Sequence, residues 1–190
     1  MRKVLVIDGH PDPTKERLIH ALATAYRTAA EEAGHEVRTA TLAVLDLAPL
    51  RSRAEWETGT LPEGIAAVQA DLLWADHLVL LFPLWLGDMP ALTKALLEQI
   101  LRPGFAFGED RGRLRPRLGG RSARLIVTMG MPAAIYRLWY AGHAIKVLRR
   151  SICGLVGIRP VRATVIGSIE RTGTAERALR HMARLGRRAR

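Results

Sequence analysis

The chain has 190 residues, 48% hydrophobic and 25% charged, which suits one folded domain with a genuine core and excludes wholesale disorder. Its formal charge of +11 comes with no nucleic-acid recognition motif, so no nucleic-acid partner is expected, and the basic tail Arg184–Arg190 reads as a solvated helix end. The apolar run Leu78 to Gly87 is too short to cross a bilayer, no signal segment stands out, and one cysteine, Cys153, allows neither an internal disulfide nor a thiolate metal cluster; a cytoplasmic protein is expected.

Lys3 to Asp8 reads as a buried strand, with Val4, Leu5, Val6 and Ile7 unbroken. From Glu16 to Ala33, the spacing of Leu18, Leu22, Ala25, Ala29 and Ala33 predicts one apolar helical face, closed by Gly34 as C-cap. His35 to Thr41 is a short second strand. Residues 42–61 carry little periodicity and read as a long loop with one helical turn. Ile65, Val68, Leu72 and Leu73 mark a helix from Glu63 to Ala75, and residues 77–82 form the third strand. Pro90 fits the first turn of a helix running to Leu101. Residues 102–121, rich in Gly, Pro and Arg, read as an irregular insertion. Ala123 to Met129 is the fourth strand, a helix lies within 139–156, Val161 to Ile166 is the fifth strand, and the last helix runs from Thr174 to Leu185.

This alternation implies a single α/β domain over residues 1–190, with a parallel sheet and helices on both faces. Five strands in this rhythm suit the flavodoxin-like order 2-1-3-4-5. Neither G-x-G-x-x-G nor a P-loop occurs. In such sheets ligands bind beyond the carboxyl ends of the strands, where the order reverses. Two loops would meet there: Gly9-His10-Pro11-Asp12-Pro13-Thr14 and Phe82-Pro83-Leu84-Trp85-Leu86-Gly87-Asp88-Met89-Pro90. The first is polar, with an imidazole and a hydroxyl beside a helix N-terminus that favours anions; Thr14 can cap that helix and point at a phosphate at once. The second is proline-rich and carries a tryptophan that can stack on a flat ring. Together they suit a flavin. The response-regulator reading fails, because Phe82 stands where a phosphoacceptor carboxylate would end the third strand. No metal-ligand spacing and no G-x-S-x-G elbow appears, and a flavin needs neither.

Several ordered stretches resemble the NAD(P)H:quinone oxidoreductase family, which includes quinone reductases, modulator-of-drug-activity proteins and ancillary subunits of potassium-efflux systems. They are Gly9-His10-Pro11, Ala75-Asp76-His77, Pro83-Leu84-Trp85, Pro90-Ala91-Leu92-Thr93-Lys94, Gly104-Phe105-Ala106-Phe107-Gly108, and Thr128-Met129-Gly130 followed by Tyr136 and His143. The resemblance implies FAD, with FMN as the alternative, and NAD(P)H as electron donor to a quinone-like acceptor by ping-pong hydride transfer. It implies that His10 and Thr14 face the flavin phosphates. Pro83, Leu84, Trp85, Leu86 and Gly87 would line the isoalloxazine, Thr128, Met129 and Gly130 would close its other side, and Tyr136 and His143 would be catalytic. It also implies a homodimer, and it leaves open an ancillary role beside a membrane transporter. The chain departs from the family's Ser-Phe-Asn at Lys15-Glu16-Arg17, and from its Gly-Gly pair at Gly130-Met131-Pro132.

Overall fold

The computed structural model describes residues 1–190. Seven strands and eight α-helices alternate in the order β1 (Lys3–Asp8), α1 (Leu18–Glu32), β2 (Glu36–Thr41), α2 (Arg53–Thr58), α3 (Glu63–Trp74), β3 (His77–Pro83), α4 (Ala91–Ile100), β4 (Phe107–Asp110), β5 (Arg113–Pro116), β6 (Ser122–Thr128), α5 (Ala133–Leu138), α6 (His143–Lys146), α7 (Gly154–Val156), β7 (Val161–Ile166) and α8 (Thr174–Gly186). Five strands form one parallel sheet ordered β2-β1-β3-β6-β7. Without the β4–β5 hairpin this is the expected 2-1-3-4-5 order, with the reversal between β1 and β3.

The unbroken apolar runs are explained by alternation across a sheet covered on both faces. Leu5, Ile7, Leu78, Leu80 and Phe82 point into a core shared with α3, α4 and the helix that descends from His143 to Val156. Val4, Val6, Val79, Leu81 and Ile126 point the other way, against α1 and α8. Those two helices approach so closely that a Cβ on Gly186 would collide with the Tyr26 carbonyl. The tail beyond is therefore no free solvated end: Ala189 is buried, and its carbonyl accepts from Arg2 Nη1 at 3.2 Å, at the pole where the strands begin.

Local chemistry moves several boundaries. α1 opens at Leu18, two residues later than the apolar spacing suggests, with Arg17 rather than Thr14 as the N-cap. Within 42–61, a 3-10 turn at Leu42–Val44 precedes α2, whose N-cap Ser52 accepts from the Glu55 amide at 3.1 Å while the Glu55 carboxylate accepts from the Arg51 amide. The insertion at 102–121 holds the antiparallel β4–β5 hairpin, turned at Arg111 and Gly112, both at positive φ. The helix expected within 139–156 begins at His143 and passes through a π-helical segment at Val147–Cys153. A further short helix, α5, precedes it.

Charge divides along the chain. Residues 1–110, which build β1–β3, hold ten basic and sixteen acidic side chains; residues 111–190, which build β6 and β7, hold nineteen and two. No helix is long and apolar enough to cross a membrane.

Candidate functional site

Beyond the carboxyl ends of β1 and β3 the two loops expected to meet do so. Gly9 starts the first: its N–H donates to Leu81 O at 2.8 Å and its carbonyl accepts from Thr93 Oγ1 at 2.7 Å. A Cβ there would lie 2.7 Å from Leu81 O, so β1 and β3 can approach this closely only at a glycine. His10 follows and is 7% exposed. Its Nδ1 accepts from the Asp12 amide at 3.1 Å, which leaves the proton of the neutral ring on Nε2. Burial, and then the nearby His20 ring, push its pKa down.

The hydroxyl expected to face a phosphate is committed elsewhere. Thr14 donates from its hydroxyl (2.5 Å) and its amide (2.8 Å) to Asp12 Oδ1, and Arg17 Nη2 reaches Asp12 Oδ2 at 2.6 Å. Thr14, and after it Arg17, hold the Asp12 carboxyl far below the usual carboxylate range. The α1 N-terminus carries no acidic residue in its first turn and no side-chain cap; Lys15, Glu16 and the Asp12-bound Arg17 stand before it. Those uncapped amides, with Lys15 beside them, fit a phosphate.

The second loop is a tight hairpin. Trp85 and Asp88 exchange backbone hydrogen bonds at 2.8 and 3.0 Å around Leu86 and Gly87, both at positive φ. Leu84 N–H anchors it to Thr128 O at 2.8 Å. Pro83 and Leu84 are half-buried, while Trp85 is half-exposed and meets His10 edge-on, with ring centroids 6.0 Å apart. This contact joins the polar loop to the aromatic one. A side chain at Gly87 would press on the Tyr140 ring at 3.2 Å, so the hairpin lies flat against that ring.

After β6, the side chains of Thr128 and Met129 are buried, and Gly130 is exposed with only Glu170 Oε1 near, 3.7 Å from where its Cβ would be. Here the structure departs from the catalytic pair expected from the resemblance. Tyr136 is fully buried: Ala134, Ile135, Arg137 and Leu138 of α5 face solvent, and the tyrosine is the buried residue that ties the helix to the core. Its hydroxyl accepts from Ile145 N–H at 3.4 Å, and burial raises its pKa. Tyr140, stacked on it at 6.4 Å, presents the ring that meets Gly87. His143 is exposed, and its amide donates to Tyr140 O at 3.1 Å. The structure thus brings His10 to Trp85 and Gly87 to Tyr140, with Tyr136 stacked on Tyr140 and His143 tied to it through the backbone.

Two residues at the site are ones the sequence reading did not assign to it. Asp8 ends β1 at 7% exposure, and His20 of α1 faces it, Nδ1 to Oδ2 at 2.5 Å. The available signal was a carboxylate closing a buried strand, which requires a partner.

The sequence pattern of a family described by its flavodoxin-like fold matches residues 2–188. The chain belongs to the flavodoxin-like fold family. One relative of this member, an uncharacterized NAD(P)H oxidoreductase of Haemophilus influenzae, is 25% identical over 169 residues, covering 87% of this chain and 83% of the relative. Among solved structures, the NAD(P)H:quinone oxidoreductase of Methanothermobacter marburgensis superposes with a TM-score of 0.82 at 21% identity, covering 100% of this chain and 99% of that one. The FMN-dependent NADH-azoreductase of Bacillus anthracis, in complex with FMN, gives 0.76 at 15% identity, covering 100% and 99%. At these identities the structural likeness is one of fold.

Proposed function

We propose that this flavodoxin-like protein is a flavin-dependent NAD(P)H oxidoreductase acting on quinone- or azo-type acceptors. The observation that carries the proposal is the His10–Trp85 contact, which joins an anion-favouring loop to a half-exposed indole where the strand order reverses. The oxidoreductase names of the Haemophilus relative and the Methanothermobacter structure support the enzyme over the ancillary transporter subunit.

A bound flavin supplies the two-electron step between nicotinamide and acceptor. Around it the chain's own residues bind and orient. The α1 amides and Lys15 hold the phosphate, His10 Nε2 adds a neutral donor, and Trp85 with the backbone of 84–87 forms a wall for the ring. FMN suits this loop better than FAD: the Thr14 hydroxyl serves Asp12, and Lys15-Glu16-Arg17 replaces the family's Ser-Phe-Asn. The FMN complex of the azoreductase points the same way.

Tyr140 and His143 are the donors we place at the open rim, with Tyr136 supporting Tyr140 from below. One rim serves nicotinamide and acceptor in turn, which gives ping-pong kinetics. Leu86, Leu138 and Trp139 are fully or largely exposed in the chain segments that carry the Gly87–Tyr140 contact, and a second copy covering them would make a homodimer. Absorbance of the purified protein and mass spectrometry of its released cofactor test the reading, with two-substrate kinetics for the mechanism. A colourless protein that leaves FMN and FAD fluorescence unquenched at micromolar concentration would overturn it.

A further inference from the structure

We infer that His20 works as an imidazolium clip that sets the shape and charge of the phosphate loop, so that flavin retention carries a pH dependence written by this one residue. The inference rests on the flavin reading above and names a positioning residue for it. Both ring nitrogens of His20 face acceptors: Nδ1 lies 2.5 Å from Asp8 Oδ2, and Nε2 lies 2.9 Å from the Asp12 carbonyl oxygen. A neutral imidazole has one N–H and can satisfy only one of them; the imidazolium satisfies both.

The three anchors belong to three elements. Asp8 ends β1, Asp12 lies at the middle of the loop, and His20 sits in the first turn of α1. The other Asp8 oxygen, Oδ1, accepts from the His10 amide at 3.1 Å. One doubly protonated ring therefore pins the start of the loop, its centre and the helix that receives a phosphate. Burial works against the charge, but the bonds to Asp8 and the Asp12 carbonyl outweigh it, and the pKa of His20 is raised.

The charges facing the ring explain why the proton matters for an anion. β1 contributes Asp8; the loop contributes Asp12 and the neutral His10, whose centroid is 5.4 Å away; Lys15, and Arg27 of α1 further off, line the same cleft, in which β2 supplies only the hydroxyls of Thr39 and Thr41. Between Asp8 and His20 the fixed charges are those of Asp8, Asp12, Glu16, Lys15 and Arg17, a net of −1. The imidazolium brings that segment to neutrality. Its loss leaves a net negative loop facing a phosphate and removes one of the two ring donors.

The sign follows directly: a pKa raised in the folded loop means the clip is complete below it and opens as pH rises through it. The test is FMN affinity, by fluorescence quenching of the apoprotein, from pH 6 to pH 9 for wild type, His20→Gln and Asp8→Asn. The second ionisation of the FMN phosphate, near pH 6, is common to all three and cancels in their ratios. Wild-type affinity should fall about tenfold relative to His20→Gln across the range, the size of one charge-assisted hydrogen bond. His20→Gln should show only the step of the FMN phosphate, and Asp8→Asn should keep a step of its own displaced to lower pH.

Identical profiles in wild type and His20→Gln would overturn the inference while leaving the flavin reading standing. Absence of FMN binding in every protein would instead overturn the flavin reading. The imidazole 15N shifts of His20 in the apoprotein give a measurement independent of flavin: a single protonated nitrogen at pH 6 would also overturn the clip.

Discussion

Replacing Tyr136 with phenylalanine separates the packing role given by the structure from the catalytic role implied by resemblance. The ring is fully buried and the hydroxyl makes one long bond, 3.4 Å from Ile145 N. Losing a bond of that kind costs about 0.5–1.5 kcal/mol. For a chain of this length each kcal/mol moves Tm by about 2–4 °C, so Tyr136→Phe should melt a few degrees lower. Its flavin reduction by NAD(P)H should stay within about twofold of wild type, because no solvent or ligand reaches the hydroxyl. Tyr136→Ala opens a cavity and should cost about 3–5 kcal/mol. Tyr140→Phe should do the reverse of Tyr136→Phe: Tm holds, while reduction slows about tenfold, equal to about 1.4 kcal/mol of barrier. Anaerobic stopped-flow mixing of the flavin-loaded proteins with NADPH and with NADH, beside thermal melts, gives both readouts. A tenfold slower reduction in Tyr136→Phe at unchanged Tm, with Tyr140→Phe at wild-type speed, would refute this assignment.

Trp85→Ala should weaken FMN about tenfold by removing the exposed wall of the ring site, and a dissociation constant unchanged by fluorescence titration would return Trp85 to a surface role. Gly9→Ala forces a Cβ to within 2.7 Å of Leu81 O and 3.0 Å of Thr93 Cγ2, and should cost about 1–3 kcal/mol in urea unfolding. Burial, then the charges of Arg2 and Arg124, lower the pKa of His77 from 6.5 to about 4. The folded state thus binds fewer protons there, so stability is full above pH 6.5 and declines by up to about 3 kcal/mol as pH falls towards about 4; His77→Gln should flatten that slope in unfolding curves. Truncation after Leu185 removes Gly186 from its contact with Tyr26 and Ala189 from its bond with Arg2, at the pole away from the flavin loops, so Tm should drop by several degrees while the KM for NADPH stays within about twofold.

The sheet was legible because its strands are apolar on both faces, which makes Val4–Ile7 and Leu78–Phe82 stand out without any partner in view. The order of the strands and the meeting of the Gly9 and Trp85 loops follow from that pattern and from handedness alone. The β4–β5 hairpin was not legible, because arginine rather than asparagine occupies the first positive-φ position of its turn. Tyr136 was misleading for a related reason. The resemblance brought Tyr136 to the right region, but only the packing of α5, with every neighbour from Ala134 to Leu138 turned outward, shows that its ring is sealed while Tyr140 meets the Gly87 hairpin. Thr14 illustrates the limit of motif logic, since a hydroxyl before a helix can serve the helix, a phosphate or, as here, a carboxylate two residues back. The Asp8–His20 pair joins residues twelve positions apart, a separation that neither strand nor helix periodicity connects.

The fold undoes the division of charge along the chain: α8 and its tail carry Arg177, Arg180, Arg184, Arg187, Arg188 and Arg190 back against α1, Arg2 and His35, so positive charge reaches both ends of the strand order. An anionic ligand drifting in at low ionic strength is therefore drawn by the net charge of +11 of the whole molecule rather than by one edge of it. At physiological salt that field fades within about 8 Å, so the net charge governs how quickly an anion arrives and leaves the speed of any chemistry untouched.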